Sequence, residues 1–406
     1  MKIAIAAPTY LPARRANTIQ VMKMAQAMSE LGHEVKVAVP SLCPQEIACR
    51  WDDLARHYGL FWKFEVNWLQ TRAQWRGYDF SWKVIQWLKG WQAQLLYTRH
   101  PQTAALGSWL GINTIFEVHD VPHGWVPALL FNIFLHGKGS RRLVIITQAL
   151  AEDLGKKFPL LASQLPRRPS FVVLGGKYIQ QSTFVIIAAD GVDLARYQNL
   201  PSPASARYSL SSVYPQLEEE RFTVGYTGHL YAGRGTDLLL SIAKAMPDVQ
   251  FILAGGEQAS VAALQEKIQL ENIANILLTG FIPNADLPLF QAACDVLLMP
   301  YQERVEASSG GDISRYLSPM KAFEYLACGR AIVVSQLPVF REIFNSQNAF
   351  FVPYDDVEAW VNAIRRLQHD EELRAALSQQ ARNTAEQYDW KKRSARILEG
   401  IEVCNA

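Results

Sequence analysis

The chain has no apolar run long enough to cross a membrane as a helix. The longest, Trp125–Leu135 in a chain of 406 residues, is about half of the roughly 20 residues that a span requires. Cysteine is sparse: five residues (Cys43, Cys49, Cys294, Cys328, Cys404) with no C-x-x-C pair. That excludes a disulfide framework or zinc ribbon and reads as reduced thiols of a cytosolic protein. Glycine is missing from Ala7–Gln20, the loop after the first apolar strand, where a G-x-G-x-x-G fingerprint would stand. A nicotinamide or flavin dehydrogenase loses its main support there. Neither a Walker G-x-x-x-x-G-K-[ST] nor a D-x-D occurs, which argues against an NTPase and against a diphosphate bridged by a metal ion. Charged residues make up only 19% and hydrophobic ones 49%, so a disordered or fibrous chain is excluded and a soluble globular one expected.

The N-terminus does not read as a signal peptide. Lys2 precedes an apolar stretch, but Pro8 and Pro12 interrupt it, and Arg14-Arg15 follow where a small-residue cleavage site belongs. A buried strand is the expectation. The net charge of +2 hides an asymmetry: residues 1–200 hold 22 Lys+Arg against 13 Asp+Glu, leaving 18 against 25 in the remainder. A basic half suits an anionic partner such as a phosphorylated substrate, nucleic acid or an acidic membrane surface, although the excess is spread rather than packed into one run. Trp125–Leu135, followed by Lys138, Arg141 and Arg142, reads either as a core helix or as an interfacial helix on anionic lipid.

Short apolar β-branched runs alternate with helix-period segments throughout. Strands are expected at 2–7, 34–39, 95–98, 113–118, 143–147 and 184–188, with a helix over 18–31 stopped by Gly32. These runs are continuous rather than alternating, as in parallel strands covered on both faces. Residues 41–93 carry seven of the eleven tryptophans and read as helical cover, or as an aromatic acceptor surface. The Ser- and Pro-rich stretch 201–220 reads as a linker. Beyond it the rhythm restarts, with strands at 222–226, 250–254, 275–279, 295–299, 331–335 and 349–353. Two β/α arrays imply two doubly wound parallel sheets whose ligands bind at the carboxyl ends of the strands.

Four such loops carry chemistry. In the first, Arg14, Arg15, Asn17 and Thr18 lead into a helix N-terminus, a place for an anion or a hydroxyl. In FEVHDVPHG, His119 and Asp120 directly follow a strand, and His123 is a weaker candidate. In VGYTGHLYAGRGTDLL, Gly225, Gly228, Gly233 and Gly235 allow close backbone approach, while His229 and Arg234 can reach phosphate oxygens. In RYLSPMKAFEYLACGR, Ser318 caps an expected helix with Pro319 at its first position. Lys321 in the first turn opposes the helix dipole, which suggests an anion between them. Glu324, three residues on, could accept from a ribose diol. The carboxylate pairs Asp190/Asp193 and Asp355-Asp356 read as a turn and a helix start.

MKIAIAAPTY, ELGHEVKV, FEVHD, YTGHLYAGRGTDLL, TGFIPNADLPLFQAACDVLLMPY, SPMKAFEYLACGRAIVVS and DWKKRSARIL stand in an order that resembles the retaining nucleotide-sugar glycosyltransferases of the GT-B fold, glycosyltransferase family 4. The resemblance runs over almost the whole chain. It implies two Rossmann-like domains facing across a cleft: 1–200 binding the acceptor, a linker at 201–221, 222–386 binding the nucleotide sugar, and 387–406 crossing back as a closing helix. It implies that His119 and Asp120 are catalytic. Gly228, His229, Arg234 and the N–H groups of Met320 and Lys321 would hold the donor diphosphate, Glu324 the ribose, and Gly280, Phe281 and Ile282 the base. Arg15, Asn17, Thr18, Tyr316 and Ser318 fall on the donor-sugar or acceptor loops. Many relatives have a second glutamate eight positions before the ribose one; here that position is Tyr316, as in a Ser-Pro-x-Lys subgroup that also lacks the acid. His229 stands where many relatives have arginine, and Arg234 at the phosphate-binding lysine position. The expected chemistry is front-face transfer without metal or resident cofactor, from a nucleotide-sugar donor to a glycan, lipid-linked or small-molecule acceptor. A cytoplasmic location is expected, with peripheral contact at the inner membrane face and no nucleic acid. The alternatives are a nucleotide-sugar epimerase or a sugar phosphorylase of the same architecture, the latter without a lysine suited to a pyridoxal Schiff base, and an inactive partner subunit.

Overall fold

The computed structural model describes residues 1–41, 50–72, 75, 78–165, 184–306 and 311–401. The chain forms two compact units, one of Met1–Asp190 with the stretch that begins at Trp390, the other of Gly191–Asp389.

The first unit is built on seven strands: β1 (Lys2–Ala6), β2 (Glu34–Ser41), β3 (Glu65–Gln70), β4 (Leu95–Thr98), β5 (Thr114–Val118), β6 (Ser140–Ile145) and β7 (Val185–Ile187). They lie in the order 3-2-1-4-5-6-7, all parallel. From Ile3 to Ala6, β1 is buried on both faces, so its sequence shows no alternation. The second unit repeats the plan with β8 (Thr223–Thr227), β9 (Gln250–Ala254), β10 (Ile276–Gly280), β11 (Val296–Met299), β12 (Ala331–Ser335) and β13 (Phe350–Val352). Their order is 10-9-8-11-12-13, again parallel. Both sheets reverse strand order at the first strand, which is where such folds open their ligand crevice.

Three expectations change. Residues 41–93 are not helical cover alone: β3 pairs in parallel with β2 at the sheet edge, with Lys36 and Glu65 2.9 Å apart. Its residues are mostly half-buried, and so it lacks a continuous apolar run. The passage between units falls at Asp190/Gly191 rather than at 201–221. That stretch instead forms a helix, Pro203–Ser211, capped by Ser202 and held to the second unit by Arg207. The buried Arg207 guanidinium donates to the Glu219 and Ala293 carbonyls at 2.6 and 2.9 Å and pairs with Asp295 at 2.9 Å. Gly225, expected on a ligand loop, lies inside β8, where an added Cβ would stand 2.2 Å from Cys294 Sγ. Cys294 and Cys328 are buried free thiols; the other three cysteines lie outside the described residues.

The closing helix, Trp390–Leu398, belongs to the first unit. Arg142 anchors it by donating to the carbonyls of Ile397 and Glu399, at 2.5 and 2.9 Å.

Because Arg207 is paired and buried, Arg207→Ala strands Asp295 and two carbonyls. The expected cost is about 3–5 kcal/mol, read as a lower urea midpoint with an unchanged slope. An open linker at this place would give a change near zero.

Candidate active site

In the second unit the carboxyl ends of three neighbouring strands meet in main chain rather than side chains. Gly228 N–H donates to Ala254 O at 2.8 Å and Gly255 N–H to Gly280 O at 2.7 Å. Pairing between β9 and β10 slips at Leu278/Gly280, so the backbone turns there, and Phe281 and Ile282 follow half-exposed. This arrangement offers peptide edges to a planar group at Gly280–Ile282.

The loop from Gly228 to Gly235 is fixed by close packing. At Gly235 (φ +78°) an added Cβ would come within 1.9 Å of Pro300 O, so only glycine fits. Gln302 N–H also donates to Gly233 O at 2.9 Å. Held in this way, Arg234 lays its guanidinium 4.8 Å above the Tyr301 ring, with Nε buried and no hydrogen-bond partner among the described residues.

Lys321 completes the pair. The helix Met320–Cys328 begins one residue later than expected, with Pro319 as the flanking residue and no side-chain cap, so Ser318 lies outside it. Lys321 Nζ sits 3.8 Å from the Tyr226 ring centre and 5.3 Å from that of Tyr301, buried and without a hydrogen-bond partner among the described residues. An added Cβ on Gly228 (φ +139°) would touch Nζ at 2.6 Å. Burial, then the charge of Arg234, push the lysine well below its ordinary pKa, and Glu324 only partly opposes this. Two cations thus share one aromatic cage at a helix N-terminus, where first-turn N–H groups have no intrahelical acceptor. Two positive charges side by side with no counter-anion among the described residues are the electrostatics of an anion site.

Glu324, one turn on, is half-buried. Its Oε2 accepts from Gln291 Nε2 at 3.2 Å, and Gln291 is itself fixed by Tyr197 Oη at 2.9 Å and Thr227 Oγ1 at 3.2 Å. Oε1 has no partner among the described residues. His229 stacks its ring on Tyr231 at 4.7 Å, and its carbonyl accepts from Tyr226 Oη at 2.6 Å. Tyr316 lies in a short 3-10 turn, Ser314–Tyr316, half-buried like Ser318.

In the first unit, His119 and Glu117 are two residues apart at the end of β5 and so project from one face. His119 Nε2 stands 2.6 Å from Glu117 Oε1. Burial and the charge of Arg99 lower the imidazole to about 4 against the pull of Glu117, so the ring is neutral. Asp120 is exposed and accepts from Val121 N–H at 2.7 Å, a local turn contact. Arg15 and Asn17 are exposed at the start of the helix Ala16–Glu30. Thr18 is different: it is buried, with its hydroxyl 2.8 Å from that of Thr9, so it braces the loop rather than facing a ligand. Reading the sequence missed Glu117, Arg99, Asp190 and Arg393, because their meeting is a matter of tertiary packing. Asp190, expected in a simple turn, is buried, and burial pushes its carboxyl up to about 7 against Arg393 and Arg99. Glu117, His119 and Asp190 offer ligand atoms within 4.8 Å of one another. That set does not suit a cation, because four donors already occupy the two Glu117 oxygens and Arg393 and Arg99 supply the positive charge.

Comparison with known proteins gives the family. A model described as "Glycosyl transferase 4-like domain" matches residues 18–160, and one described as "Glycosyl transferases group 1" matches 213–384. The chain belongs to this glycosyltransferase family. Its phosphatidyl-myo-inositol mannosyltransferase relative from Mycolicibacterium smegmatis is 23% identical over 413 residues, covering 99% of this chain and 94% of that one. D-inositol 3-phosphate glycosyltransferase from Salinispora arenicola is 25% identical over 240 residues, 55% of this chain and 50% of that one, so the chain spans about half the length of that relative. The crystal structure of Anabaena HepE in complex with UDP and glucose superposes with a TM-score of 0.69 at 17% identity, covering 98% of both chains. The fold of this group 1 glycosyltransferase is therefore GT-B.

A buried lysine nitrogen with no hydrogen-bond partner among the described residues opposes folding. Lys321→Met, which keeps the length and adds a sulfur contact to the tyrosines, is expected to raise the melting temperature of the ligand-free protein by a few degrees, roughly 1 kcal/mol in a domain of this size. The sign follows from linkage: a lysine whose folded pKa is depressed is a penalty in full below that pKa, relieved as pH rises toward the unfolded value. The gain from the substitution should therefore shrink at alkaline pH, as thermal melts across pH will show.

Proposed function

We propose that the protein transfers a sugar from a nucleotide-diphosphate sugar to a hydroxyl of a glycan, lipid-linked or small-molecule acceptor, with retention of anomeric configuration. The observation that carries this reading is two positive charges in one tyrosine cage, Arg234 over Tyr301 and Lys321 with its Nζ unpartnered among the described residues. In transfer, the bond from the anomeric carbon to the diphosphate oxygen breaks and a bond to the acceptor oxygen forms on the same face. The acceptor proton passes to the departing phosphate. Lys321, Arg234 and the first-turn N–H groups of Met320 and Lys321 neutralise the charge that grows on the leaving group. This requires neither a metal ion nor a resident cofactor. Glu324, with one oxygen set by Gln291, turns the other to the ribose hydroxyls, and the turn at Gly280–Ile282 faces the base. Gly228 and His229 border the diphosphate through main chain. His119 and Asp120, in the first unit, are the proposed catalytic residues. Arg15, Asn17, Tyr316 and Ser318 stand on the loops toward sugar and acceptor.

The same reading includes peripheral contact with anionic lipid at the cytoplasmic membrane face. No helix among the described residues is long and apolar enough to cross a membrane. The helix Trp125–His136 buries Phe131 and Phe134 but leaves Trp125 79% and Leu129 50% exposed, one turn apart. An exposed aromatic and aliphatic pair on a helix followed in sequence by Lys138 and Arg141 suits a headgroup boundary.

Arg234→Ala is expected to weaken nucleoside-diphosphate binding about 10- to 100-fold, the worth of a charge-assisted hydrogen bond, when UDP, GDP and ADP are titrated calorimetrically. Binding should also draw a proton onto Lys321 above its depressed pKa, so the heat depends on the buffer in the wild type but not in Lys321→Arg. Affinity for all three diphosphates unchanged in Arg234→Ala removes the site. Sedimentation with phosphatidylglycerol vesicles is expected at low salt and lost at high salt. Trp125→Ser should abolish it.

A further inference from the structure

Glu117 is an unusual carboxylate for a residue at a strand end. Its side chain is fully buried, and each oxygen accepts twice. Oε1 receives Gln20 Nε2 at 2.7 Å and His119 Nε2 at 2.6 Å. Oε2 receives Arg393 Nη2 at 3.0 Å and the Tyr97 hydroxyl. Gln20 is in turn bound by Arg99 Nη1 at 3.2 Å. Burial alone would raise the Glu117 carboxyl, but Arg393 and the His119 contact hold it well below the usual carboxylate range. Tyr97, pushed up chiefly by burial, keeps its proton and can only donate.

Arg393 reaches Glu117 from the closing helix and is held from every side. Nε donates to Ala189 O at 2.7 Å, Nη2 to Ala188 O at 3.1 Å, and Nη1 lies 3.0 Å from Met24 Sδ. A guanidinium so completely seated cannot swing to a ligand, so its charge serves Glu117.

A neutral imidazole has one N–H and one lone pair, and the group bonded to one nitrogen decides which it is. An ionised carboxylate with no proton to give must accept, so the hydrogen of His119 is on Nε2 and the lone pair on Nδ1. We propose that Glu117 is the positioning residue of His119, fixing the Nε2–H tautomer so that Nδ1 is left as the acceptor for a substrate hydroxyl, and that Arg393 positions Glu117. The closing helix is thus part of the machinery that sets the histidine. The inference rests on the catalytic role of His119 proposed above, whereas the tautomer is a property of the protein without substrate.

The test is nuclear magnetic resonance of the wild type and Glu117→Gln with 15N-labelled histidine, alongside kcat, KM and calorimetric binding of UDP, GDP and ADP. The wild-type His119 ring is expected as the pure Nε2–H tautomer. In Glu117→Gln the amide can donate or accept, so the ring should become a mixture of tautomers. Turnover should fall on the order of 100-fold while nucleoside-diphosphate affinity stays within twofold. A wild-type ring with its proton on Nδ1, or a Gln variant with unchanged tautomer and kcat, overturns the proposal. Should Glu117→Gln not fold, Glu117→Asp keeps the charge but draws the oxygens back from Nε2. It is expected to loosen the tautomer and lower kcat, and an unaltered kcat overturns the proposal equally. A pure Nε2–H ring in a wild type that transfers no sugar would fault the functional reading and leave the tautomer assignment standing.

Discussion

A cation buried without its counter-charge is a cost that a fold bears only where something else needs it. Lys321 and Arg234 are two such cations in one cage, with Tyr226 and Tyr301 as their nearest partners. The quadrupoles of the rings offset part of the desolvation, yet leave every hydrogen-bond donor of the ammonium group open. Much of the second unit is arranged around holding that pair still. Gly228 leaves room for Nζ, Gly235 lets the loop press against Pro300, and the late start of the helix at Met320 puts the lysine in the first turn.

The first unit handles charge in the opposite way. Glu117 is as deeply buried as a charge can be, but four donors and Arg393 answer it completely. A satisfied network of this kind is rigid, because any rotation of one member strands another. Rigidity keeps the His119 ring fixed against Glu117. The charge cluster is complete in the first unit and incomplete in the second.

The comparisons add a family to this physics without adding a substrate. Relatives at 23–25% identity share the chain's course, and the likeness to HepE shows the shared fold. Tyr316 is half-buried within a 3-10 turn.

Strands that are buried on both faces were legible from the sequence because their apolar runs are local: β4, β9 and β12 fall at the expected residues, and the others within a few. The edge strand β3 was not, since half its surface meets water and its pattern breaks. Arg234, Lys321 and Glu324 could be picked out because glycines, a proline and a helix start sit next to them in the chain. Their shared cage could not, because Tyr226 lies in β8 and Tyr301 in the loop after β11, 75 residues on. Glu117 and Arg393 are 276 residues apart. Local propensity decided the elements and the loops that end them; only packing could decide which buried charges find partners and which are left for a ligand, since that depends on distances no stretch of sequence encodes.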